Sequence, residues 1–234
     1  MKSKTTIFAL AASVMLAVLA GLSACSKIDD PVMPQDDTEE MVSIAEAHTL
    51  AKAKEGDVVD TDGNAYTVDE AHLLPWSVTA AGMVAYKKWG DGLVIALNDE
   101  ASQMNWSNAY NYGAPRHTPA VTGKNWKLPT MNQWKTMFLK TDVDLNSKTV
   151  DYESYTELNK ALTNVGGTAL RIYTDTYWTA TPKMPYSYNS NDGDAYMMIP
   201  NNYTNSNVKF DNVKFDLFWK YCDGLVRACF AFHY

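Results

Sequence analysis

Basic residues are scarce in this chain. Twenty lysines and arginines face 27 aspartates and glutamates over 234 residues, a formal net charge of −7. No stretch concentrates the positive charge, so the electrostatic footprint of a nucleic-acid binder is missing and nucleic acid is not an expected partner. Histidine is limited to His48, His72, His117 and His233, scattered along the chain, and no Cys-x-x-Cys pair occurs. Neither a zinc motif nor a thioredoxin-type redox motif is therefore written in the sequence. Gly-x-Ser-x-Gly, His-Glu-x-x-His and phosphate-loop patterns are missing as well, and the many Asp and Glu pairs stand in no distinctive context. The chain reads as non-catalytic. It has no internal repeat, and its length suits one domain with a sizeable core.

What is present begins with a targeting segment. Lys2 and Lys4 precede the apolar run "IFALAASVMLAVLAGL" at residues 7–22, which is too short and too early for a comfortable transmembrane helix. The run ends in "LSAC" at residues 22–25, which resembles the lipobox of bacterial lipoproteins. The resemblance implies that residues 1–24 are removed as a signal peptide and that Cys25 carries acyl chains. Several chains anchor stably where one binds only marginally. Residues 25–40 then read as an acidic tether: "SKIDDPVMPQDDTEE" carries six acids, one lysine and two prolines. Its start, "CSKIDD", is similar to the export signal of Bacteroidetes surface lipoproteins. The implied location is the outer membrane, lipid-anchored and facing the cell exterior. Without Lys2 and Lys4 the formal charge becomes −9, of which the tether holds −5, leaving about −4 on the globular part.

Of three cysteines, Cys222 and Cys229 remain beside the lipidated one. An even pair in an exported protein permits a disulfide, and two buried thiols fit the spacing equally well.

Residues 41–55, "MVSIAEAHTLAKAKE", have helical spacing and predict a short helix or linker before the domain. Two hairpins are expected next, one turning at "TDGN" (61–64) and one joined through "WGDG" (89–92). "NDEASQMNWSNAYNYG" at 98–113 predicts a helix with Asp99 and Glu100 in its first turn and Gly113 as its stop. In "NWKLPTMNQWKTMF" (125–138), Thr130 and Gln133 form a capping box that opens a helix through Phe138. Trp134, Met137 and Phe138 give that helix an apolar stripe, while Trp126 and Leu128 alternate as a strand does. These spacings place both tryptophans in a core. A third helix is predicted over 152–167. Short strands follow at 176–181, 194–200 and 208–215, and a β-prone run, "DGLVRACFAFHY", comes last.

The order of four motifs, "WKLPTMNQW", "YWTAT", "AYMMI" and "LVRACFAF", is similar to the C-type-lectin-like domains of bacterial surface proteins. The nearest patterns are those of the DUF1566 (Lcl C-terminal) and Fibrobacter major paralogous families. The resemblance covers residues 56–234; Lys127 and Gln133 stand where Arg and Glu are commoner. It implies an α+β fold, two or three helices beside a small twisted antiparallel sheet. N- and C-terminal strands would be adjacent, and a long loop region would carry the variable surface. Function must then be argued from the site.

Three candidate sites follow. "NSNDGDAY" at 189–196 could offer calcium its oxygen ligands, although the family's "EPN" and "WND" ligand motifs are missing and turn formation explains the same residues. Tyr186, Tyr188 and Tyr203, with Asn189, Asp192 and Asp194, have the composition of binding loops. They are the expected contacts for a glycan or a surface protein. Cys222 and Cys229 would serve as the reactive pair if the chain were an oxidase of formylglycine-generating type, but the surrounding residues of that family are missing. The preferred reading is a lipid-anchored surface binding module. A structural or accessory (tip) subunit of a surface assembly is the alternative.

Overall fold

The computed structural model describes residues 46–71, 74, 76–138, 149–171, 175–183, 193–200 and 212–234. The chain divides into two units, 1–41 and 42–234, and the described residues all lie in the second. Both expected hairpins form. Strands β2 (Val58–Asp60) and β3 (Asn64–Tyr66) meet across a turn in which Gly63 takes φ +84°. The Asp60 carboxylate holds that turn by accepting from the backbone N–H groups of Asp62 and Asn64 and from the Tyr66 hydroxyl. Strands β4 (Ala80–Lys88) and β5 (Asp91–Ala96) turn through Trp89 (φ +54°) and Gly90 (φ +86°). Two consecutive left-handed residues match the right-handed twist of the flanking strands.

The helix expected over 41–55 does not form in its described part, 46–55. His48–Thr49 is instead a short strand, β1, paired with β3 through His48–Ala65 and Thr49–Asn64. The Lys87 ammonium caps the following turn by donating to the Ala51 and Ala53 carbonyls, and Leu50 and Ala53 are buried. The apolar spacing that suggested a helix thus serves a turn packed on the sheet, and the domain starts before residue 56. A one-turn helix, α1 (Val68–Ala71), follows β3. The helix expected over 98–113 is also displaced. It begins at Trp106, capped by the Asn105 side chain, and passes from α2 (Trp106–Asn108) through π (Ala109–Gly113) to 3₁₀ (Ala114–Arg116). Asp99 and Glu100 lie outside it because each has a tertiary partner, Arg227 and His117.

Helix α3 (Met131–Phe138) opens on the expected capping box. Thr130 N–H donates to Gln133 Oε1 at 2.8 Å, and Gln133 N–H donates to Thr130 Oγ1 at 3.1 Å. A further helix, α4, spans Tyr152–Asn164, as its apolar spacing predicts. Strands β6 (Thr149–Asp151), β7 (Tyr177–Pro182), β8 (Asp194–Pro200), β9 (Asn212–Trp219) and β10 (Cys229–His233) complete an α+β architecture of antiparallel strands with few helices.

The described strands form two antiparallel sheets rather than one. The first runs β1-β3-β2-β4-β5-β10 and the second β6-β9-β8-β7. In the first sheet β10 pairs with β5, so the first and last strands occupy opposite edges instead of adjoining. Both faces of the β4–β5 hairpin are covered. Met83, Leu93 and Ile95 join Trp134, Met137 and Phe138 of α3 and Leu158 and Leu162 of α4 in one apolar cluster. Val84, Val94 and Ala96 join Trp106, Trp126, Leu128 and Trp178 in the other. Two-sided burial is why "LVIA" at 93–96 reads as a continuous apolar run. Trp126 and Trp134 are 3% and 0% exposed, so both belong to the core. Trp126 approaches the sheet over Gly82, where an added Cβ would lie 2.5 Å from Val94 and 3.3 Å from the indole.

One polar cluster joins these parts. Arg227, fully buried, donates through Nε to Asp99 at 2.6 Å, to the Ala96 and Leu97 carbonyls, and to the carbonyl and hydroxyl of Thr168. Asp99 also accepts from the Tyr177 hydroxyl at 2.8 Å. Burial first, and then the Asp99 charge, pushes the Tyr177 hydroxyl pKa far up, so it stays a donor. The cluster therefore ties the end of β5 to β7 in the other sheet.

Candidate functional site

Of the residues expected to bind or anchor, Cys25, Tyr186, Tyr188, Asn189, Asp192 and Tyr203 lie outside the described residues. Asp194 is described, and it opens β8. Its register partner is Trp219, the last residue of β9, so the two side chains leave the same face of the sheet at its rim. Along that face the partner pairs pass from buried Met198–Phe215 through half-buried Tyr196–Leu217 to exposed Trp219. An apolar column thus emerges into solvent beside Asp194.

The chain beyond β9 keeps its alternation for one more step. Lys220 turns inward: it is 1% exposed, with its ammonium 4.4 Å from the centre of the Trp106 ring. Its N–H donates to Gly193 O, and its carbonyl accepts from Trp106 N–H. With Lys220 held inward, Trp219 and Tyr221 point out, 62% and 60% exposed. Their rings meet edge to face with centroids 5.2 Å apart, an arrangement in which each ring fixes the other. Next to them the Lys183 ammonium lies 3.1 Å from Asp194 Oδ2, and Lys183 N–H donates to Asp194 O. The rim therefore carries two aromatic rings, a carboxylate and an ammonium, all accessible. That set can stack on an apolar face of a ligand while donating to and accepting from its hydroxyls.

Trp219 and Tyr221 were not singled out by sequence reasoning, which followed the Tyr- and Asn-rich loops instead. The available signal was their i, i+2 spacing in "FWKYCDG", which puts both rings on the face opposite Lys220. Among the described residues no group of three or more His, Cys, Asp or Glu could hold a metal ion.

Cys222 and Cys229 are both free thiols, so the bridge reading gives way to two separate thiols. Cys222 is half-buried against the cluster that holds Trp106 and Trp178, while Cys229 is buried in the cluster of α3 and α4. Burial pushes the Cys229 thiol pKa far up, with Lys127 a smaller opposing influence.

Among the described residues no helix is long and apolar enough to cross a membrane. No family model matches this sequence, and no curated protein matches it either.

Proposed function

We propose that this chain is a non-catalytic, lipid-anchored surface module of C-type-lectin-like kind, which binds glycan through the rim of its second sheet. The observation that carries this reading is the exposed Trp219–Tyr221 ring pair beside the Asp194–Lys183 ion pair. Isolated exposed aromatics are ordinary on protein surfaces, but two rings fixed edge to face next to paired polar groups form a platform. Lys183 and Gly193, which flank the stretch holding Tyr186 and Tyr188, both lie at this rim, whereas Pro200 and Asn212, which flank the stretch holding Tyr203, lie at the other end of β8 and β9. Support for the scaffold comes from the motif order and from the Leu-Pro-Thr step, which opens a capped helix between two buried tryptophans. The opposite placement of the first and last strands departs from the expected pattern, so the likeness rests on the part from β4 onward. Lipid anchoring and exposure at the outer membrane are proposed from the lipobox and the acidic tether alone.

A glycan array probed with the unacylated chain tests the reading. Trp219→Ala and Tyr221→Ala should each weaken the glycan signal about tenfold, the effect of losing about 1.4 kcal/mol of contact. Cooperative unfolding should be unchanged. Capture of one defined surface protein with no glycan signal would instead favour an accessory subunit of an assembly.

A further inference from the structure

A second surface has a different chemistry. Between the 123–130 segment and β10 lies an open groove of about 700 Å³, lined by Tyr110, Lys124, Asn125, Lys127, Gln133 and Ala231 among others. In a chain of net charge −7, the described lining includes two lysines and no carboxylate. Neither lysine has an ion pair among the described residues. The lining polar groups therefore favour a negatively charged occupant.

The floor of the groove is a strand edge. Residues of β10 alternate: Ala228, Phe230 and Phe232 turn their backbone groups toward β5, as the Ala96 N–H to Ala228 O bond shows. Cys229 and Ala231 turn theirs away. Cys229 exchanges two 2.8 Å hydrogen bonds with Lys127, but there the pairing stops, because the chain at Lys124 folds back into a turn with Val121. The Ala231 N–H and C=O are left at an exposed edge inside the groove, without a partner among the described residues. Such an edge is a template for one more strand.

We propose that this groove binds an extended acidic segment of a partner protein, which adds to β10 at Ala231 and sets its carboxylates against Lys124 and Lys127. A second copy of this chain fits poorly, because pairing β10 on β10 would bring the lysines of both copies to one edge. The site is distinct from the aromatic rim and independent of it.

The test uses the unacylated full chain and a dye-labelled octapeptide alternating glutamate with valine and threonine, followed by fluorescence anisotropy at low salt. The proposal expects saturable binding that falls about tenfold in Lys124→Gln with Lys127→Gln, and that weakens as salt rises. It expects a similar loss when alternate peptide nitrogens are N-methylated, and slowed hydrogen exchange at the Ala231 amide when the unmodified peptide binds. Trp219→Ala should bind the peptide as the parent chain does. No saturable binding, equal binding of the N-methylated peptide, equal binding of polygalacturonate, or a β10-paired dimer in sedimentation would each overturn it.

Discussion

The Arg227–Asp99 pair lends itself to a quantitative test. Arg227 is fully buried and places all five of its N–H groups: one on Asp99, one on each carbonyl of Ala96 and Leu97, and two on Thr168. Asp99→Ala leaves a guanidinium buried without its counter-charge and takes the acceptor from the Tyr177 hydroxyl. Removing one member of a buried pair costs about 3–5 kcal/mol, and an orphaned buried hydroxyl adds about 1 kcal/mol or more. The folded-to-unfolded ratio should therefore fall by roughly two to four orders of magnitude. Urea unfolding followed by the fluorescence of the buried tryptophans Trp106, Trp126, Trp134 and Trp178 reads this directly. Arg227→Met should cost a comparable amount, since it strips donors from three carbonyls. The double variant should cost less than the two singles together, by about 1–3 kcal/mol, because each single change has already broken the shared contacts. If Asp99→Ala costs under about 1 kcal/mol, the value of an exposed ion pair, the cluster is not holding the two sheets together and the argument fails.

Further expectations concern single groups. Burial raises the Asp57 pKa above its ordinary 3.8, outweighing the hydrogen bond from Lys54 N–H. The folded state thus binds this proton more tightly than the unfolded state, and its contribution to stability falls as pH rises through that window. Asp57→Asn should accordingly raise the urea midpoint at pH 7 and lose that advantage at pH 3. With a thiol reagent such as DTNB, the native chain should yield Cys222 first, and Cys229 should react only after denaturation, as mass mapping would show. Among the described residues Trp134 Nε1 is buried without a hydrogen-bond partner, whereas Trp106 Nε1 donates to Thr179 O at 2.8 Å. Trp106→Phe should therefore cost about 1–2 kcal/mol more than Trp134→Phe in thermal unfolding, through the orphaned carbonyl.

Much of the fold was readable where local chemistry is self-sufficient. Gly63, after Asp62, and Gly90, after Trp89, announce the two hairpins because left-handed residues are needed there. Thr130 and Gln133 announce α3 because the capping box is closed within four residues. Reading failed where a distant partner decides. Residues 46–55 have good helix formers, yet pairing with β3 and the reach of Lys87 across to Ala51 and Ala53 make them strand and turn. Asp99 and Glu100 suit a first helical turn, yet Arg227 and His117 claim them from 128 and 17 residues away. Division into two sheets was equally hidden, since no local signal tells β10 to join β5. At the candidate site, Asp194 was anticipated by composition alone. Trp219 and Tyr221 were passed over because they sit in a run whose other aromatics, Phe215 and Phe218, are buried or half-buried, and only the inward turn of Lys220 exposes them.

The alternation along residues 124–128 has one more consequence. Trp126 and Leu128 settle the fold through their side chains, whereas Lys127 does so only through its backbone, exchanged with Cys229. Its side chain, with those of Lys124 and Asn125, carries no structural duty among the described residues. Positions that fix the scaffold and positions that face the groove are thus interleaved yet separable. Drift at 124, 125 and 127 can change what the groove accepts while the scaffold stays as it is, and a library randomised at those three positions should retain folded members in nearly every clone.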